Sequence, residues 1–414
     1  MKEKIKNFIN KCQKSELTPA IIFGSSVNGL SYVRSLGRKN IPLLCLDHVS
    51  GPASKSRYGD FVLLNIKENE NTRGETEADQ IFDILKEKGI ETVVFGSADE
   101  WQVYIAKRSE LTPSPFLSLS PDQKSMDCII DKQAQYELAT SLNIDVPHFA
   151  NAESIYSGKN KWTDFPAIIK PRWAHLGRGV IGGKALFIDS IESLQENLNK
   201  VNAKANINDY IVQKVLKGED SCLYSYLGFF EPSGNEFIGM VKQKIRQFPP
   251  FLGDGSYDMT CLDEPLADAA RKLLKAIDYQ GLVGVEFKRN PKSDEFGLIE
   301  INPRTVSTNQ LAINAGIDFP WIAYQMIIHL AYPQKMHRPM VPKSYSLNYH
   351  HVNEERDFKS FLIRKKQKEI TFSEWFKSVR TAESYALWDK RDIKPFWNMI
   401  FSKLPIVLKR IFRT

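Results

Sequence analysis

The sequence predicts an α/β protein of two or three domains, and three observations lead to this prediction. Its 414 residues are 42% hydrophobic and 25% charged, as in a globular protein with ample core. Strands and amphipathic helices alternate in the N-terminal region, which favours a parallel sheet. Further along, the sequence contains a glycine-rich loop and a β-hairpin with an acid in each strand, and these two segments hold the candidate ligand-binding residues.

The N-terminal alternation begins with a βαβ unit over residues 20–47. The strand AIIF meets Gly24, a helix follows, and PLLCLD forms a second buried strand. The turn has the spacing G-x-x-x-x-G, from Gly24 to Gly29, and lacks the middle glycine of the dinucleotide fingerprint. Asp47 lies about 20 residues further on, where a ribose-binding acid is expected. An NAD(P)-binding oxidoreductase therefore stays open as an alternative of a different class.

Polar residues follow two of the predicted parallel strands. Open parallel sheets bind ligands at the carboxyl ends of their strands, so these positions are candidates for substrate contacts. Ordinary helix capping explains each residue equally well. The residues are Ser25, Ser26 and Asn28 after the first strand, and Ser97, Asp99 and Glu100 after the strand TVVFG.

Composition restricts the compartment and the partners. Five scattered cysteines without a C-x-x-C pair favour a reducing compartment, and the sequence shows neither a signal peptide nor an apolar run of about 18 residues. The net charge of +7 is concentrated near the end, where residues 340–414 contain 16 Lys and Arg against 8 Asp and Glu. We therefore expect a cytoplasmic protein whose body binds no nucleic acid.

The segment DFPAIIKPRWAHLGRGVIGGKALFI places Lys170 at the end of a strand, before a glycine-rich loop. The loop also contains Arg172, Arg178 and Lys184, and a return strand follows. Bare backbone N–H groups and positive charges suit a polyphosphate. The segment is not a P-loop, because no G-K-[ST] opens a helix here. A merely flexible hairpin is the alternative, and the three cations argue against it.

The β-hairpin over residues 281–304 has one acid among the β-formers of each strand, Glu286 and then Glu300. Residues two apart on a strand share a face, so Asn302 lies beside Glu300, and pairing across the hairpin could bring Glu286 there too. Two carboxylates and an amide oxygen suit Mg²⁺, which prefers oxygen ligands and leaves positions for phosphates. Acids that simply face water are the alternative explanation.

The order of these parts resembles the ATP-grasp superfamily of ATP-dependent ligases. The resemblance covers about residues 18–333. It rests on Lys132, on Lys170 with its glycine loop, on an apolar strand followed by Glu219, on a basic strand and on the closing I-E-I-N-P-R. The patterns SLGRKNIPLLCLD and KIRQFPP are most similar to the carboxylate–amine ligase branch that contains the D-aspartate ligases.

This resemblance implies an ATP-grasp fold in three parts. Residues 1–122 would form a Rossmann-like pre-ATP-grasp α/β domain. Residues 123–335 would form the ATP-grasp domain, with a mobile glycine-rich lid at about 152–211. Residues 336–414 would form a basic, mostly helical C-terminal extension. ATP would lie between the lid and the catalytic sheet.

The resemblance also implies the ATP site. Lys132 and Lys170 would contact the phosphates, and Glu219 would hold the ribose. The adenine hinge departs slightly from the family, because Gln213 replaces the glutamate of many members. The remaining implied ATP contacts are Arg178 and Gly179 in the loop, and Gln213, Lys214, Val215 and Leu216 in the hinge.

The implied metal ligands are Glu286, Glu300 and Asn302, which would hold Mg²⁺ or Mn²⁺. Arg304 would neutralise the charge that develops on the transferred phosphoryl group. Arg246 is our candidate for holding the acyl phosphate or the substrate carboxylate. A strand arginine in a surface ion pair is the equally weighted alternative for Arg246.

The implied function is a ligase that uses ATP and Mg²⁺ to form an amide or peptide bond through an acyl phosphate. A small carboxylate such as an amino acid would be joined to an amine, with a cell-wall or surface-glycan precursor as one candidate substrate. A bicarbonate-activating carboxylase or carbamoyl-phosphate-synthase-like enzyme is the nearest alternative, and a non-catalytic nucleotide-binding module is another. The sequence names neither substrate and leaves the oligomeric state open, with a homodimer as one arrangement.

The tail over residues 396–414 mixes aromatic and aliphatic residues with Lys and Arg. Such a segment suits the face of an anionic membrane, so peripheral contact at the inner membrane face is one expectation. A helix packed on the catalytic body is the other. Pro405 should interrupt the helix in either case. The apolar residues concerned are Phe396, Trp397, Phe401, Ile406, Leu408 and Phe412.

Overall fold

A computed structural model describes residues 2–66, 74–111, 116–173, 178–251, 253–293 and 295–411. Side chains are described for these residues except 110, 111, 178 and 403–411. Within this part of the chain, the strands form one five-stranded, one four-stranded and one seven-stranded sheet. The structure is therefore a mixed α/β protein, as the sequence predicts.

The N-terminal sheet is parallel throughout and has the strand order β3-β2-β1-β4-β5. Every residue of β1 and β2 is buried, which is typical of a parallel sheet covered on both faces. The elements here are α1 (Lys2–Gln13), β1 (Ala20–Phe23), α2 (Val27–Gly37), β2 (Leu43–Asp47), β3 (Asp60–Leu63), α3 (Glu75–Glu87), β4 (Thr92–Gly96), α4 (Asp99–Leu111) and β5 (Phe116–Leu117).

Close packing explains the two glycines of the first βα turn. Gly24 has a φ of +99°, a conformation that glycine adopts without strain. A Cβ at Gly29 would lie 1.9 Å from the carbonyl oxygen of Gly24, so no larger residue fits there. The turn thus needs both glycines for geometry, whether or not a ligand binds beside it.

The second sheet is antiparallel and has the order β6-β9-β7-β8. Helix α9 covers it with Leu194, Leu198 and Val201, which recur at helical spacing and are buried. The elements of this part are α5 (Gln123–Ile130), α6 (Lys132–Ser141), β6 (Phe149–Asn151), α7 (Ala152–Tyr156), β7 (Ala167–Pro171), α8 (Arg178–Ile181), β8 (Leu186–Ile188), α9 (Ile191–Asn202) and β9 (Tyr210–Lys214).

The largest sheet has the order β14-β13-β10-β11-β12-β15-β16, and only the pair β15–β16 is parallel. The elements are β10 (Leu223–Phe230), β11 (Glu236–Phe248), β12 (Asp254–Cys261), α10 (Glu264–Lys275), β13 (Gly281–Arg289), β14 (Phe296–Asn302), α11 (Asn309–Ala315), α12 (Phe319–Ala331), β15 (His350–Val352), α13 (Glu354–Lys366), α14 (Phe372–Thr381), β16 (Ser384–Tyr385) and α15 (Lys394–Ile411).

The C-terminal region is mostly helical, as predicted, but it also adds β15 and β16 to the largest sheet. These strands are two or three residues long, too short to show a period-2 pattern in the sequence. Helix α15 continues past Pro405, so the predicted interruption is wrong. A proline removes one backbone N–H from the helix, and here the helix continues despite that loss.

One hydrophobic cluster joins the N-terminal sheet to the largest sheet. It contains Phe95 of β4 and Tyr32 of the adjacent helix α2, Phe229 and Met240 of the largest sheet, and Ile322 of α12. This packing brings the carboxyl ends of the parallel strands close to the end of β14. Among the described residues, no single helix is long and apolar enough to cross a membrane; α11 and α12 would suffice only as a pair, which is bent by 85°.

Candidate functional site

The site is centred on the hairpin of β13 and β14. Glu286 is the direct partner of Glu300 across the hairpin, and Gly284 is the partner of Asn302. Directly opposed residues of an antiparallel pair share a face with their Cβ atoms about 5 Å apart. The predicted pairing that brings the two acids together is therefore confirmed.

Two buried lysines approach these acids. The Nζ atom of Lys132 lies 4.0 Å from a carboxylate oxygen of Glu300, and that of Lys244 lies 2.7 Å from Glu286. Burial would raise the pKa of Glu300, but the charges of Lys132, Lys184 and Lys170 lower it to about 2. The acid is therefore ionised at every physiological pH, and a carboxylate is what a hard cation requires.

Lys170 is buried at the end of β7 and donates to the hydroxyl oxygen of Tyr136 at 2.8 Å. That hydroxyl also lies 2.9 Å from the Oε1 atom of Gln213. Burial and the nearby charge of Lys132 lower the pKa of Lys170 to about 7, although Glu300 and Glu286 oppose the shift. The amine is thus poised to gain a proton when an anion arrives beside it.

Arg304 connects the hairpin to the N-terminal sheet. Its Nε atom lies 2.7 Å from a carboxylate oxygen of Asp99, and its Nη2 donates to the Oδ1 of Asn302 at 3.1 Å. Burial would lower the pKa of Arg304, but Asp99 raises it. Asp99 begins α4 directly after β4, so the predicted end of a parallel strand does face the acids.

A pocket lies at this junction of the hairpin with α4, α5 and α6. Both apolar side chains and charged or amide groups line it. Its lining residues are Asp99, Ile129, Ile130, Lys132, Gln135, Glu300, Ile301, Asn302 and Pro303.

A second group of charged side chains surrounds Asp254 on β12. Lys184, from the glycine-rich loop, forms an ion pair with this carboxylate, and Arg356 of α13 lies 3.0 Å from it. Burial would raise the pKa of Asp254, but Lys184 and Arg356 lower it. Arg356 also donates to the Oγ of Ser307 at 3.3 Å. Sequence reasoning missed Asp254 and Arg356, which carry no motif of their own.

The structure does not support the predicted role of Arg246 in holding a substrate, because this residue forms an ion pair with Asp357. Its guanidinium donates to both carboxylate oxygens of the buried Asp357, at 2.9 and 2.8 Å, and to Ser378 at 3.0 Å. These contacts anchor α13 and α14. The guanidinium of Arg246 is therefore occupied by residues of the C-terminal region. Lys244, two residues earlier on β11, is the basic residue that reaches Glu286. A register shift between Lys244 and Arg246 separates their surroundings, and the sequence does not signal it.

The predicted hinge, from Gln213 to Leu216, begins with the last two residues of β9. The backbone N–H groups of Lys214 and Val215 donate to the carbonyl oxygens of His148 and Pro166, at 2.8 and 2.9 Å. An adenine ring would therefore use other backbone groups of this segment, such as those of Leu216. Glu219 is exposed, as a group that binds ribose hydroxyls from solvent must be.

The glycine-rich loop is described in part. Residues 174–177 and the side chain of Arg178 lie outside the described residues. Gly179 and Gly183 have open space where a Cβ would be, and Gly182 has a φ of +69°. Backbone at these glycines is therefore accessible to a ligand, which fits the predicted phosphate contact without testing it.

The donor set fits Mg²⁺ or Mn²⁺. Within the described ranges no three acidic, histidine or cysteine side chains are grouped to enclose an ion. The hairpin instead offers two carboxylates and one amide, and Mg²⁺ is commonly held by one or two carboxylates together with water and substrate phosphates. These residues can thus hold a metal that is bound jointly with a nucleotide.

The dinucleotide alternative fits the structure poorly. Asp47 accepts hydrogen bonds from the backbone N–H of Ser25 at 2.6 Å, the Oγ of Ser25 at 2.8 Å and the backbone N–H of His48 at 2.8 Å. Its carboxylate therefore stabilises the first turn and is not free to bind a ribose.

Comparison with known proteins agrees with this geometry. A family model described as "ATP-grasp in the biosynthetic pathway with Ter operon" matches residues 238–354, which include the hairpin. D-aspartate ligase of Enterococcus faecium is 20% identical over 309 residues, which cover 72% of this chain and 73% of that protein. The chain is thus similar to ATP-grasp ligases, and the segment that the family model matches contains Glu286, Glu300 and Asn302.

Solved ATP-grasp structures share the fold at low identity. L-amino acid ligase from Bacillus licheniformis superimposes with a TM-score of 0.57 and 14% identity, over 76% of this chain and 75% of that one. The biotin carboxylase domain of Hydrogenobacter thermophilus 2-oxoglutarate carboxylase, solved with MgADP and bicarbonate, gives a TM-score of 0.59 and 15% identity. It covers 81% of this chain and 74% of that one.

Proposed function

We propose that this ATP-grasp chain is an ADP-forming carboxylate–amine ligase that uses ATP and Mg²⁺. The observation that carries the proposal is the meeting of Glu286, Glu300 and Asn302 with buried lysines at one end of a hairpin. The D-aspartate ligase and the L-amino acid ligase among its relatives favour an amino acid as the activated carboxylate. The acceptor is an amine, for which a cell-wall or surface-glycan precursor is our candidate.

The chemistry follows from the poor leaving group of a carboxylate. Transfer of the γ-phosphoryl group from ATP to a carboxylate oxygen releases ADP and forms an acyl phosphate. Attack by the amine on the acyl carbon then forms the amide and releases phosphate. Phosphoryl transfer needs alignment and charge neutralisation more than covalent help from the protein. A site made of two carboxylates and several cations supplies both.

Each nearby side chain has a role in this proposal. Lys132 and Lys170 neutralise the ATP phosphates, and Arg304 stabilises the charge on the transferred phosphoryl group. The metal, held by the two acids and Asn302, would add positive charge between the phosphates. The ADP part would contact the segment from Gln213 to Glu219.

We place the substrate carboxylate between Arg304 and Arg356. Both guanidiniums are only partly buried, and each already binds a carboxylate within the protein, Asp99 or Asp254. Guanidinium groups bind carboxylates strongly because two N–H groups can donate in parallel. Asp99, which pairs with Arg304, follows strand β4, so the N-terminal sheet would border the bound carboxylate. Arg246 has no part in this proposal because Asp357 occupies its guanidinium.

The three-part organisation remains part of the proposal. Residues 1–122 would supply substrate contacts, residues 123–335 the ATP site, and residues 336–414 Arg356 and the support behind it. The lid at about 152–211 would close over ATP and exclude water, since water would hydrolyse the acyl phosphate. The ion pair between Lys184 and Asp254 links this lid to the catalytic sheet and would hold it closed.

A bicarbonate-activating enzyme is the second candidate, because the biotin carboxylase domain shares the fold. One experiment separates the two candidates. The purified chain is incubated with MgATP, pools of amino acids and hydroxylamine, and both ADP and hydroxamates are measured. An acyl phosphate reacts with hydroxylamine, so amino-acid-dependent ADP release with hydroxamate formation is expected. ADP release stimulated by bicarbonate alone favours the carboxylase, and release of AMP and pyrophosphate contradicts both.

Lys170 should take up a proton when MgATP binds. Its pKa of about 7, lowered from 10.5, leaves the amine mostly neutral in the free chain at a pH of about 8.5. Phosphate oxygens raise this pKa, so uptake is expected between about pH 7 and 10 and should vanish below that window. Calorimetric titrations in buffers of different ionisation enthalpy measure the protons exchanged. Lys170→Met should lose the uptake, and the exposed control Lys159→Met should keep it; equal uptake by both variants contradicts the assignment.

A further inference from the structure

Two helices of the C-terminal region expose large apolar side chains side by side. Phe358 and Leu362 on α13 are 46% and 51% exposed, and Phe372 and Phe376 on α14 are 55% and 50% exposed. In each helix the two residues are four apart and so lie on one face. Helix α14 contains no buried residue at all, although four of its ten residues are large and apolar. We call the exposed side chains of Phe358, Leu362, Phe372 and Phe376 the apolar patch.

The apolar patch is held rigidly by the fold. Trp375 stacks on the buried Phe361 with ring centroids 4.5 Å apart, and its Nε1 donates to Asp357 at 2.9 Å. Phe358 contacts Trp375, and Phe372 contacts Phe361, which joins the two helices. A capping box between Thr371 and Glu374 begins α14. The exposed rings therefore belong to a fixed surface.

Positive charge continues the same helix faces. Lys365 and Lys366 follow Leu362 by three and four residues, and Arg380 follows Phe376 by four. All three are exposed, as is Lys368 between the helices. Two nearby acids are neutralised, because Asp357 binds Arg246 and Glu369 binds Arg364, whereas the exposed Glu374 only caps α14 through Thr371. The four cations outnumber this one acid of α14, so the border of the apolar patch carries a net positive charge.

We propose that this surface docks the chain on the face of an anionic lipid bilayer. Aromatic and aliphatic side chains that enter the interface, with Lys and Arg beside them for the headgroups, are the features of an interfacial helix pair. A second copy of the chain is a poorer occupant. A two-fold interface brings the same patch of each copy together and would oppose Lys365, Lys366 and Arg380 to their own equivalents.

The surface lies near the catalytic site along α13. Arg356, in the first turn of this helix, faces Asp254, and Lys366 is ten residues further on, a distance of about 15 Å along the axis. Docking through the apolar patch therefore keeps the site close to the bilayer face. Membrane docking does not depend on the proposed reaction and can be tested without substrates.

Vesicle co-sedimentation of the full chain tests the proposal. Vesicles of phosphatidylcholine are compared with vesicles containing about one-third phosphatidylglycerol. Binding to the anionic vesicles alone is expected, and it should weaken as salt is raised from about 0.05 to 0.5 M. Lys365→Glu with Lys366→Glu should lower the affinity at least about thirtyfold. The control pair Lys86→Glu with Lys88→Glu makes the same charge change at two exposed positions at the end of α3 and should leave the affinity nearly unchanged.

The contribution of the apolar patch to vesicle binding is tested with a second double variant and a matched control. Phe372→Ser with Phe376→Ser should abolish sedimentation with anionic vesicles, whereas Phe187→Ser with Leu262→Ser, at sites 57% and 70% exposed, should not. Retained binding by the first pair, with loss in Trp397→Ser and Phe401→Ser, would assign the contact to α15 and overturn the proposal. A dimer in solution that the Phe372 and Phe376 changes dissociate would also overturn it, since the patch would then be a subunit interface.

Discussion

Glu300→Gln should reduce amino-acid-stimulated ADP formation about a thousandfold or more. The carboxylate lies opposite Glu286, close to Lys132, and its pKa of about 2 shows that the surrounding lysines hold it as an anion. An amide of the same shape cannot supply the negative charge with which Glu300 would hold Mg²⁺. The measurement is the initial rate of ADP release with MgATP and the activating pool.

The control for this variant lies on the same hairpin. Glu295 is exposed near the turn, so Glu295→Gln makes an identical chemical change outside the site and should retain the full rate. Both variants should unfold at the temperature of the parent chain, which shows that the fold persists. A Glu300→Gln chain with more than about a tenth of the parent rate would remove Glu300 from the metal site, and the proposed geometry with it.

Arg34→Ala should destabilise the chain by about 3–5 kcal/mol. The guanidinium is 1% exposed and forms a buried ion pair with Asp392 at 3.1 Å. It also donates to the carbonyl oxygens of Ala386, Leu387 and Asp392, at 3.0, 2.7 and 3.0 Å. Removing one partner leaves a buried charge and three buried carbonyl groups without their donor. Urea unfolding followed by tryptophan fluorescence measures the loss.

The loss of stability in Arg34→Ala should begin at the segment that Arg34 contacts. Limited proteolysis of Arg34→Ala should cleave between β16 and α15 before the rest of the chain, because Arg34 of α2 donates to three backbone carbonyl groups of segment 386–392. Lys200→Ala removes an exposed lysine that pairs only along its own helix, and its unfolding midpoint should match the parent. An Arg34→Ala midpoint equal to that of Lys200→Ala would show that this buried network adds nothing to stability.

The sequence alone determined the parts whose signal is local. The alternation of strands and helices predicted the parallel sheet, and the alternation of apolar residues predicted the hairpin. The spacing of Glu300 and Asn302 predicted a shared face because strand side chains repeat every two residues, and pairing across the hairpin could add Glu286. Lys170 could be placed at the end of its strand for the same reason. The resemblance to ATP-grasp ligases rests on these local motifs, and the comparisons confirm it.

Tertiary structure decided which distant residues meet. The contacts of Lys244 with Glu286 and of Arg246 with Asp357 depend on a register shift in β11 that no residue type announces. Likewise Arg356 reaches Asp254 only because β15 extends the largest sheet and positions α13 beside β12. Such contacts join residues on different elements, up to 111 positions apart, and their energy depends on packing and burial that a single sequence does not contain.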